Sequence, residues 1–148
     1  MSASPSPDYA GDVSAQDAWD LLANDPKAQL IDVRSVAEWN FVGLPDLSSL
    51  GRQAHRIEWQ SYPSMQPNPN FVPDALQLLQ EAGAQTGTPI LFLCRSGGRS
   101  RAAAMAMTRA GFHNAFNISS GFEGEIDPQG HRGAVNGWKA AGLPWRQT

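Results

Sequence analysis

The sequence predicts an α/β fold in which a central parallel sheet carries helices on both of its faces. Four apolar runs have the length of strands, and segments with helical signals lie between and around them. Strands that alternate with helices in this way form parallel sheets. In such a sheet, ligands bind in the crevice at the carboxyl ends of the strands. The predicted strands cover residues 29–33, 55–59, 88–93 and 115–118.

Five helices are predicted from start signals, apolar spacing and stop signals. Ser14, with Asp17 three residues later, resembles a capping box at the start of the first helix. Ser100 is a good N-cap for an alanine-rich segment that Gly111 ends, as a C-terminal glycine does. The predicted helices cover residues 14–24, 36–41, 74–84, 101–110 and 134–141.

The length of 148 residues predicts one domain with an ordinary hydrophobic core. We assign that domain to residues 13–148 and expect residues 1–12 to be a disordered lead. This lead is rich in serine, proline and alanine, and it lacks the basic start and apolar stretch of a signal peptide. Residues 61–73 contain four prolines, which predicts a loop or an extended connector.

Composition and charge exclude several classes of function. The net charge is −3, and there is no basic run or basic-aromatic interleaving of the kind that binds nucleic acid. No apolar run approaches the ~20 residues needed to cross a bilayer, so we expect no membrane association. One cysteine cannot form an intramolecular disulfide, which fits a reducing compartment and predicts a cytoplasmic location. The three histidines have no ligand spacing, so no metal site is expected.

The run Cys-Arg-Ser-Gly-Gly-Arg-Ser at residues 94–100 is the strongest functional signal. Cys94 directly follows the strand over residues 88–93 and precedes a helix, which places its thiol at the ligand-binding edge of the sheet. Gly97 and Gly98 allow backbone angles that turn successive N–H groups inward, and these donors favour an anion. Such an environment lowers the pKa of a thiol.

Two interpretations of Cys94 imply different chemistry. A lone cysteine is often a small buried hydrophobe. Here, however, Arg95 and Arg99 place fixed positive charge around the sulfur, and the neighbouring glycines have no purpose if the residue only packs. We therefore predict a reactive thiolate.

Three charged residues at and after the first predicted strand are candidates for a supporting role. Asp32, Arg34 and Glu38 could form a network around the cysteine loop. The structural alternative is a partly buried ion pair, which is the more common outcome for a carboxylate and an arginine beside a strand end.

Several segments together resemble the single-domain rhodaneses, which are thiosulfate sulfurtransferases. These segments are Leu-Ile-Asp-Val-Arg at residues 30–34, Glu38 with Trp39, residues 90–100 before the alanine-rich helix, residues 119–124 and residues 137–145. The resemblance extends over residues 13–145 and implies a rhodanese-like α/β fold. Two segments look inserted relative to that family, residues 46–52 and residues 125–135, and both could reshape the mouth of the site.

The resemblance implies a sulfurtransferase that needs no cofactor. Cys94 as a thiolate would attack the outer sulfur of thiosulfate, expel sulfite, and hold that sulfur as a persulfide until a thiol or cyanide removes it. The residues expected to bind the substrate are Arg95, Ser96, Gly97, Gly98, Arg99 and Ser100. Their backbone N–H groups would cradle the persulfide, and Arg95 or Arg99 would bind the anionic donor.

Two other functions remain open. Cysteine phosphatases and arsenate reductases also place a cysteine in an anion-binding loop before a helix, with five residues between cysteine and arginine. Only four residues separate Cys94 from Arg99, and a group misplaced by ~1 Å can cost about 100-fold in rate. The second alternative is a persulfide carrier that exchanges sulfur with a protein donor or acceptor, since fold and loop do not identify a partner.

Overall fold

A computed structural model describes residues 8–61 and 63–147 of the chain. The strands in this part are β1 (Gly11–Val13), β2 (Gln29–Asp32), β3 (Leu44–Pro45), β4 (His55–Arg56), β5 (Gln60–Ser61), β6 (Gln66–Pro67), β7 (Ile90–Leu93), β8 (Ala115–Ile118) and β9 (Trp145–Arg146). The α-helices are α1 (Ala15–Asn24), α2 (Val36–Phe41), α3 (Phe71–Glu81), α4 (Gly98–Arg109) and α5 (Gly137–Ala140), and a 3-10 helix covers Ser48–Leu50.

A five-stranded parallel sheet lies at the centre of the fold. Its strand order is β1-β8-β7-β2-β4, and every neighbouring pair is parallel. Asp32 pairs with Leu93, so β2 and β7 end at the same edge of the sheet. The antiparallel pairs β3–β9 and β5–β6 lie outside this sheet. The segment after β7 therefore leaves the sheet at its middle, where the predicted ligand crevice lies.

Helices cover both faces of the sheet, as predicted. Successive residues of β7 face opposite sides: Ile90 and Phe92 join a hydrophobic cluster with α3 and α4, whereas Leu91 and Leu93 join a cluster with α1 and Trp138 of α5. A strand buried on both faces has no polar side, which explains its uninterrupted apolar run. The predicted α/β class with a central parallel sheet is confirmed.

The disordered lead predicted for residues 1–12 is wrong at its carboxyl end. Tyr9 is 6% exposed, the N–H of Ala10 donates to the carbonyl of Ala115 over 2.9 Å, and β1 pairs with β8. A three-residue strand is too short to contain a recognisable apolar run. It forms because its backbone pairs with β8, which is distant in sequence. Residues 1–7 lie outside the described residues. The assignment of a single domain to residues 13–148 stays a prediction.

Two helices begin earlier than predicted. α4 starts at Gly98 with Gly97 as its N-cap, whereas the sequence predicts a start at Arg101 with Ser100 as its N-cap. α3 starts at Phe71 instead of residue 74. Pro73 lies in its first turn, where a missing N–H costs no helical hydrogen bond.

Three further segments differ from the prediction in extent. β4 covers only His55–Arg56 of residues 55–59, because its partner β2 ends opposite Arg56 at Asp32. The predicted connector over residues 61–73 contains the second strand of the β5–β6 hairpin and the first turn of α3. The last helix is a single turn, α5, in place of residues 134–141.

Candidate active site

Cys94 lies directly after β7 at the carboxyl edge of the sheet, as predicted, and is 1% exposed. The backbone N–H of Gly97 donates to its Sγ over 3.1 Å, and the Ser100 hydroxyl oxygen lies 3.2 Å from Sγ. α4 begins at Gly98, so the N–H groups of its first turn have no helical acceptor. Backbone donors and the positive end of the helix therefore favour an anionic group beside this sulfur.

Only one of the two loop glycines has a backbone that requires glycine. Gly97 has a φ of 111°, and a Cβ at this position would collide with the carbonyl oxygen of Ser119. Gly98 is exposed, and a Cβ there would meet no atom within 4 Å. The inward turn predicted for both glycines thus rests on Gly97, while Gly98 serves as the first residue of the helix.

A neighbouring segment braces the backbone of the cysteine loop. The N–H of Phe122 donates to the carbonyl of Cys94 over 2.8 Å, and the N–H groups of Glu123 and Gly124 donate to the carbonyl of Arg95 over 3.0 and 3.1 Å. Gly121 approaches the loop so closely that a Cβ would come within 2.6 Å of the Cys94 carbonyl oxygen. The position of Cys94 is therefore held from both the sheet and this segment.

Glu38 contacts the loop through Arg99. The two terminal nitrogens of Arg99 donate to the two carboxylate oxygens of Glu38 over 2.7 and 2.9 Å. Ser35 caps α2, and its N–H and hydroxyl donate to the same carboxylate. Burial raises the pKa of Glu38, but hydrogen bonds and charge from Arg99, with the bonds from Ser35, lower it to about 2. The donor-binding role predicted for Arg99 would need the nitrogens that Glu38 occupies.

Asp32 and Arg34 form a separate, fully buried ion pair. Nε and Nη2 of Arg34 donate to the carboxylate of Asp32 over 2.9 and 2.6 Å, and Nη2 also donates to the carbonyl of Gly43 over 2.8 Å. The guanidinium lies 4.3 Å from the ring centre of Phe122. Asp32 and Arg34 thus form the structural ion pair that was the alternative to a role in the site. Of the three candidate supporting residues, Glu38 bonds to the cysteine loop.

Sequence reasoning missed three polar residues behind Cys94. Asn117 accepts a hydrogen bond from Ser100, and its amide donates to Asp12, which also accepts from the Tyr9 hydroxyl. Asn117 is 3% exposed within the otherwise apolar strand β8. A buried amide in an apolar strand needs partners, and this was the available signal.

Arg95 is exposed beside a cavity of about 670 Å³. Its lining also includes Glu38 and Val42, together with Ile126 and Arg132 of the segment over residues 125–135. Ser96, a further predicted substrate-binding residue, is also exposed.

The 125–135 segment is an ordered wall of that cavity. Arg132 donates to the carbonyl of Gly124 over 2.6 Å, and the N–H of His131 donates to the carboxylate of Asp127 over 2.8 Å. The expectation that this insertion reaches the mouth of the site therefore agrees with the geometry.

The other insertion, residues 46–52, lies elsewhere. Leu47 is 2% exposed, and Arg52 donates to the carbonyl of Leu22 at the end of α1 over 2.8 Å. The segment lines a different cavity, of about 310 Å³, whose lining includes no residue of the cysteine loop.

The chain matches the family model described as "STR4 middle domain" over residues 10–148. It belongs to that family. Protein RP600 of Rickettsia prowazekii is 36% identical to the chain over 129 residues, which cover 87% of the chain and 91% of the relative. Rhodanese-like domain-containing protein 4, chloroplastic, of Arabidopsis thaliana is 28% identical over 132 residues, which cover 89% of the chain and 25% of that protein.

Solved structures share the fold of this chain. The crystal structure of Rv0390 from M. tuberculosis superposes with a TM-score of 0.84 at 48% identity, and the match covers 95% of this chain and 99% of that chain. The polysulfide-sulfur transferase homodimer from Wolinella succinogenes superposes with a TM-score of 0.56 at 23% identity, covering 93% and 78%, and shows the shared fold. The predicted resemblance is confirmed at the level of the rhodanese-like superfamily.

Within the described part of the chain, no helix has both the length and the apolar character needed to cross a bilayer. The cytoplasmic location stays a prediction.

Proposed function

We propose that this protein is a sulfurtransferase that moves the sulfane sulfur of thiosulfate, or of a related persulfide donor, to a thiophilic acceptor through a persulfide on Cys94. The position of Cys94 carries the proposal. Its sulfur lies at the end of the central strand, receives the N–H of Gly97, and faces the start of a twelve-residue helix. Membership of the rhodanese-like superfamily supports the same chemistry.

The first half-reaction loads the cysteine. The thiol of Cys94 releases its proton to solvent, and the thiolate attacks the outer sulfur of thiosulfate. A new S–S bond forms at Cys94, the S–S bond of thiosulfate breaks, and its electron pair leaves with sulfite. The charge of the persulfide stays near the N–H groups of the first turn of α4.

The second half-reaction returns the enzyme to its free state. A cyanide or thiolate acceptor attacks the outer sulfur of the persulfide, the S–S bond at Cys94 breaks, and Cys94 leaves as a thiolate. The products are thiocyanate or an acceptor persulfide. Because the enzyme alternates between two covalent states, the kinetics should be ping-pong.

Arg95 is the cation best placed to bind the anionic donor. It directly follows the nucleophile, is exposed, and lines the cavity of about 670 Å³. Arg99, in contrast, already uses both terminal nitrogens on Glu38. We therefore propose that Arg95 binds the donor and that Arg99 is a positioning residue, which holds the loop against α2.

The same ion pair weakens the phosphatase and arsenate reductase alternatives. Those reactions need a guanidinium fork on the oxyanion, because two parallel bonds position a tetrahedral group. The fork of Arg99 is directed at Glu38, and the spacing from Cys94 to Arg99 is one residue short for such a loop.

The carrier alternative has one observation in its favour. Two large apolar side chains are exposed at or next to the cavity beside Arg95: Ile126, at 56%, and Phe41, at 82%. Phe41 lines a neighbouring groove that shares Glu38 and Val42 with the cavity. Exposed apolar residues around a site favour contact with another protein. A protein donor or acceptor of sulfur would fit this surface.

Steady-state kinetics with thiosulfate and cyanide test the proposal. We expect thiocyanate formation with ping-pong dependence on the two substrates, and we expect the Cys94→Ser variant to form none, because a serine without a base is a poor nucleophile. A rate unaffected by Cys94→Ser would contradict the proposal. Loading of Cys94 by a persulfidated protein, without turnover of thiosulfate, would favour the carrier.

A further inference from the structure

A chain of hydrogen bonds connects Cys94 to the edge strand β1. The hydroxyl oxygen of Ser100 lies 3.2 Å from Cys94 Sγ and 2.6 Å from Asn117 Oδ1. Nδ2 of Asn117 donates to Asp12 Oδ1 over 3.0 Å, and the Tyr9 hydroxyl donates to the same oxygen over 2.8 Å. Asp12 and Asn117 are register partners on β1 and β8. The chain therefore crosses two strands of the sheet behind the nucleophile.

The number of protons available in this chain of hydrogen bonds determines which atom donates and which accepts in each bond. Asp12 as a carboxylate can only accept, and the pKa of Tyr9 is raised by burial and by its bond to Asp12, so Tyr9 stays a donor. Asn117 must then turn its NH₂ group to Asp12 and its carbonyl oxygen to Ser100. The Ser100 hydroxyl has one proton, which this short bond to Asn117 uses. Ser100 therefore presents lone pairs, not a proton, to Cys94.

We infer that Asp12 and Asn117 are positioning residues that hold the Ser100 proton away from Cys94, so that Ser100 accepts from the thiol instead of donating to the thiolate. When Cys94 of the free enzyme is a thiolate, its sulfur then accepts a hydrogen bond from the N–H of Gly97 but none from Ser100. For Ser100 to stabilise the thiolate, its proton must leave Asn117, whose oxygen would then remain buried and unpaired. The chain therefore favours the neutral thiol over the thiolate.

The consequence for catalysis rests on the function proposed above. Loading of Cys94 needs the thiolate. The loading rate at low pH should therefore change when the hydrogen bonds from Ser100 to Asp12 are altered. In the loaded state the inner sulfur carries no charge, because the charge lies on the outer sulfur. Discharge of the persulfide should therefore respond much less to the same substitutions.

Substitution of Asn117 leaves the other charged groups near Cys94 in place. Arg99 on α4 forms an ion pair with Glu38 of α2. It also interacts electrostatically with Cys94 and with Asp32 at the end of β2. Arg95 follows Cys94 in the loop. A change in thiol pKa on substitution of Asn117, which is uncharged, would thus come from hydrogen bonding and not from a lost charge.

The test measures the pH dependence of Cys94 alkylation by iodoacetamide, with no sulfur donor present. The Asn117→Val variant retains the charge of Asp12 and a strand-forming side chain while freeing the Ser100 proton. We expect it to lower the pKa of Cys94 by about one unit, so that alkylation well below that pKa is roughly 10-fold faster, because a hydrogen bond to the charged form favours it. Asn114→Val, directly before the same strand, should leave the pKa unchanged.

A double-mutant comparison identifies Ser100 as the intermediary. In a Ser100→Ala background, Asn117→Val should no longer shift the pKa of Cys94. Should Asn117→Val fail to fold, Asp12→Asn with and without Ser100→Ala gives the same comparison, because an asparagine at residue 12 lets the Asn117 amide reverse. An unshifted or raised pKa in Asn117→Val, or a shift that persists without Ser100, would overturn the inference. Because alkylation requires no sulfur donor, failure of persulfide formation would leave this result standing.

Discussion

Replacing Gly97 with alanine is the sharpest steric test of the cysteine loop. Its φ of 111° is unfavourable for any residue with a Cβ, at a cost on the order of 1–3 kcal/mol. The new Cβ would also collide with the carbonyl oxygen of Ser119. Ser119 cannot easily retreat, because its N–H is bonded to the carbonyl of Val13 at the sheet edge over 3.1 Å. We expect the combined cost to be at least about 2 kcal/mol in the free energy of unfolding.

Gly98→Ala is the matched control. A Cβ at residue 98 meets nothing within 4 Å, and alanine in a helix is more favourable than glycine by about 0.8–1 kcal/mol. Urea unfolding followed by tryptophan fluorescence should therefore show a lower midpoint for Gly97→Ala and an equal or higher midpoint for Gly98→Ala. If the two variants unfold within about 0.5 kcal/mol of each other, the steric reasoning for this loop is refuted.

Three further predictions concern the charged residues of the site. Arg99→Lys should slow loading and discharge of Cys94 by similar factors, roughly 10–100-fold. Lysine cannot form the two parallel hydrogen bonds to Glu38, so the loop is displaced in both steps. Single-turnover rates in which only loading falls would indicate that Arg99 binds the donor. The pKa of Glu38 is lowered from 4.5 to about 2 on folding, so the stability it contributes is present above pH 4.5 and is lost as the pH falls through about 2; Glu38→Gln should lack this part of the pH dependence of the urea midpoint. Arg132→Ala should raise the KM for carboxylate-bearing thiol acceptors about 10-fold and leave the KM for neutral thiols unchanged, since Arg132 lines the cavity beside Arg95; equal changes for both acceptor types would refute an electrostatic role.

The central elements of the fold were predictable because their sequence signals have a direct physical cause. β7 and β8 are buried along their whole length, so their sequences, apart from Asn117, are short apolar runs bounded by turns. α1 begins where Ser14 accepts from the N–H of Asp17, as the capping pattern predicts. The alternation of such strands with helices then determines the parallel sheet.

The short peripheral strands were not predictable from local sequence. β1 has three residues, and β3 and β9 have two each, too few for any periodicity. Leu44 and Pro45 become a strand only because the end of the chain returns to pair with them. Such pairing depends on tertiary structure and leaves no mark within a short window.

The candidate site also contains predictable and unpredictable parts. Cys94 and the anion-favouring loop could be predicted, because strand, glycine and helix start follow one another in sequence. The pairing of Arg99 with Glu38 joins residues 61 positions apart, and the chain from Ser100 to Asp12 crosses from α4 to two strands of the sheet. Charge and polarity identify these residues as candidates, but only the fold selects their partners.

The central claim, that Cys94 carries a sulfane sulfur, is tested most directly by the intact mass of the purified protein after incubation with thiosulfate. We expect the mass to increase by one sulfur atom per chain, the increase to disappear on addition of a reductant, and the Cys94→Ser variant to show none. No reducible increase with either thiosulfate or a small-molecule persulfide, or an equal increase in Cys94→Ser, would contradict the claim.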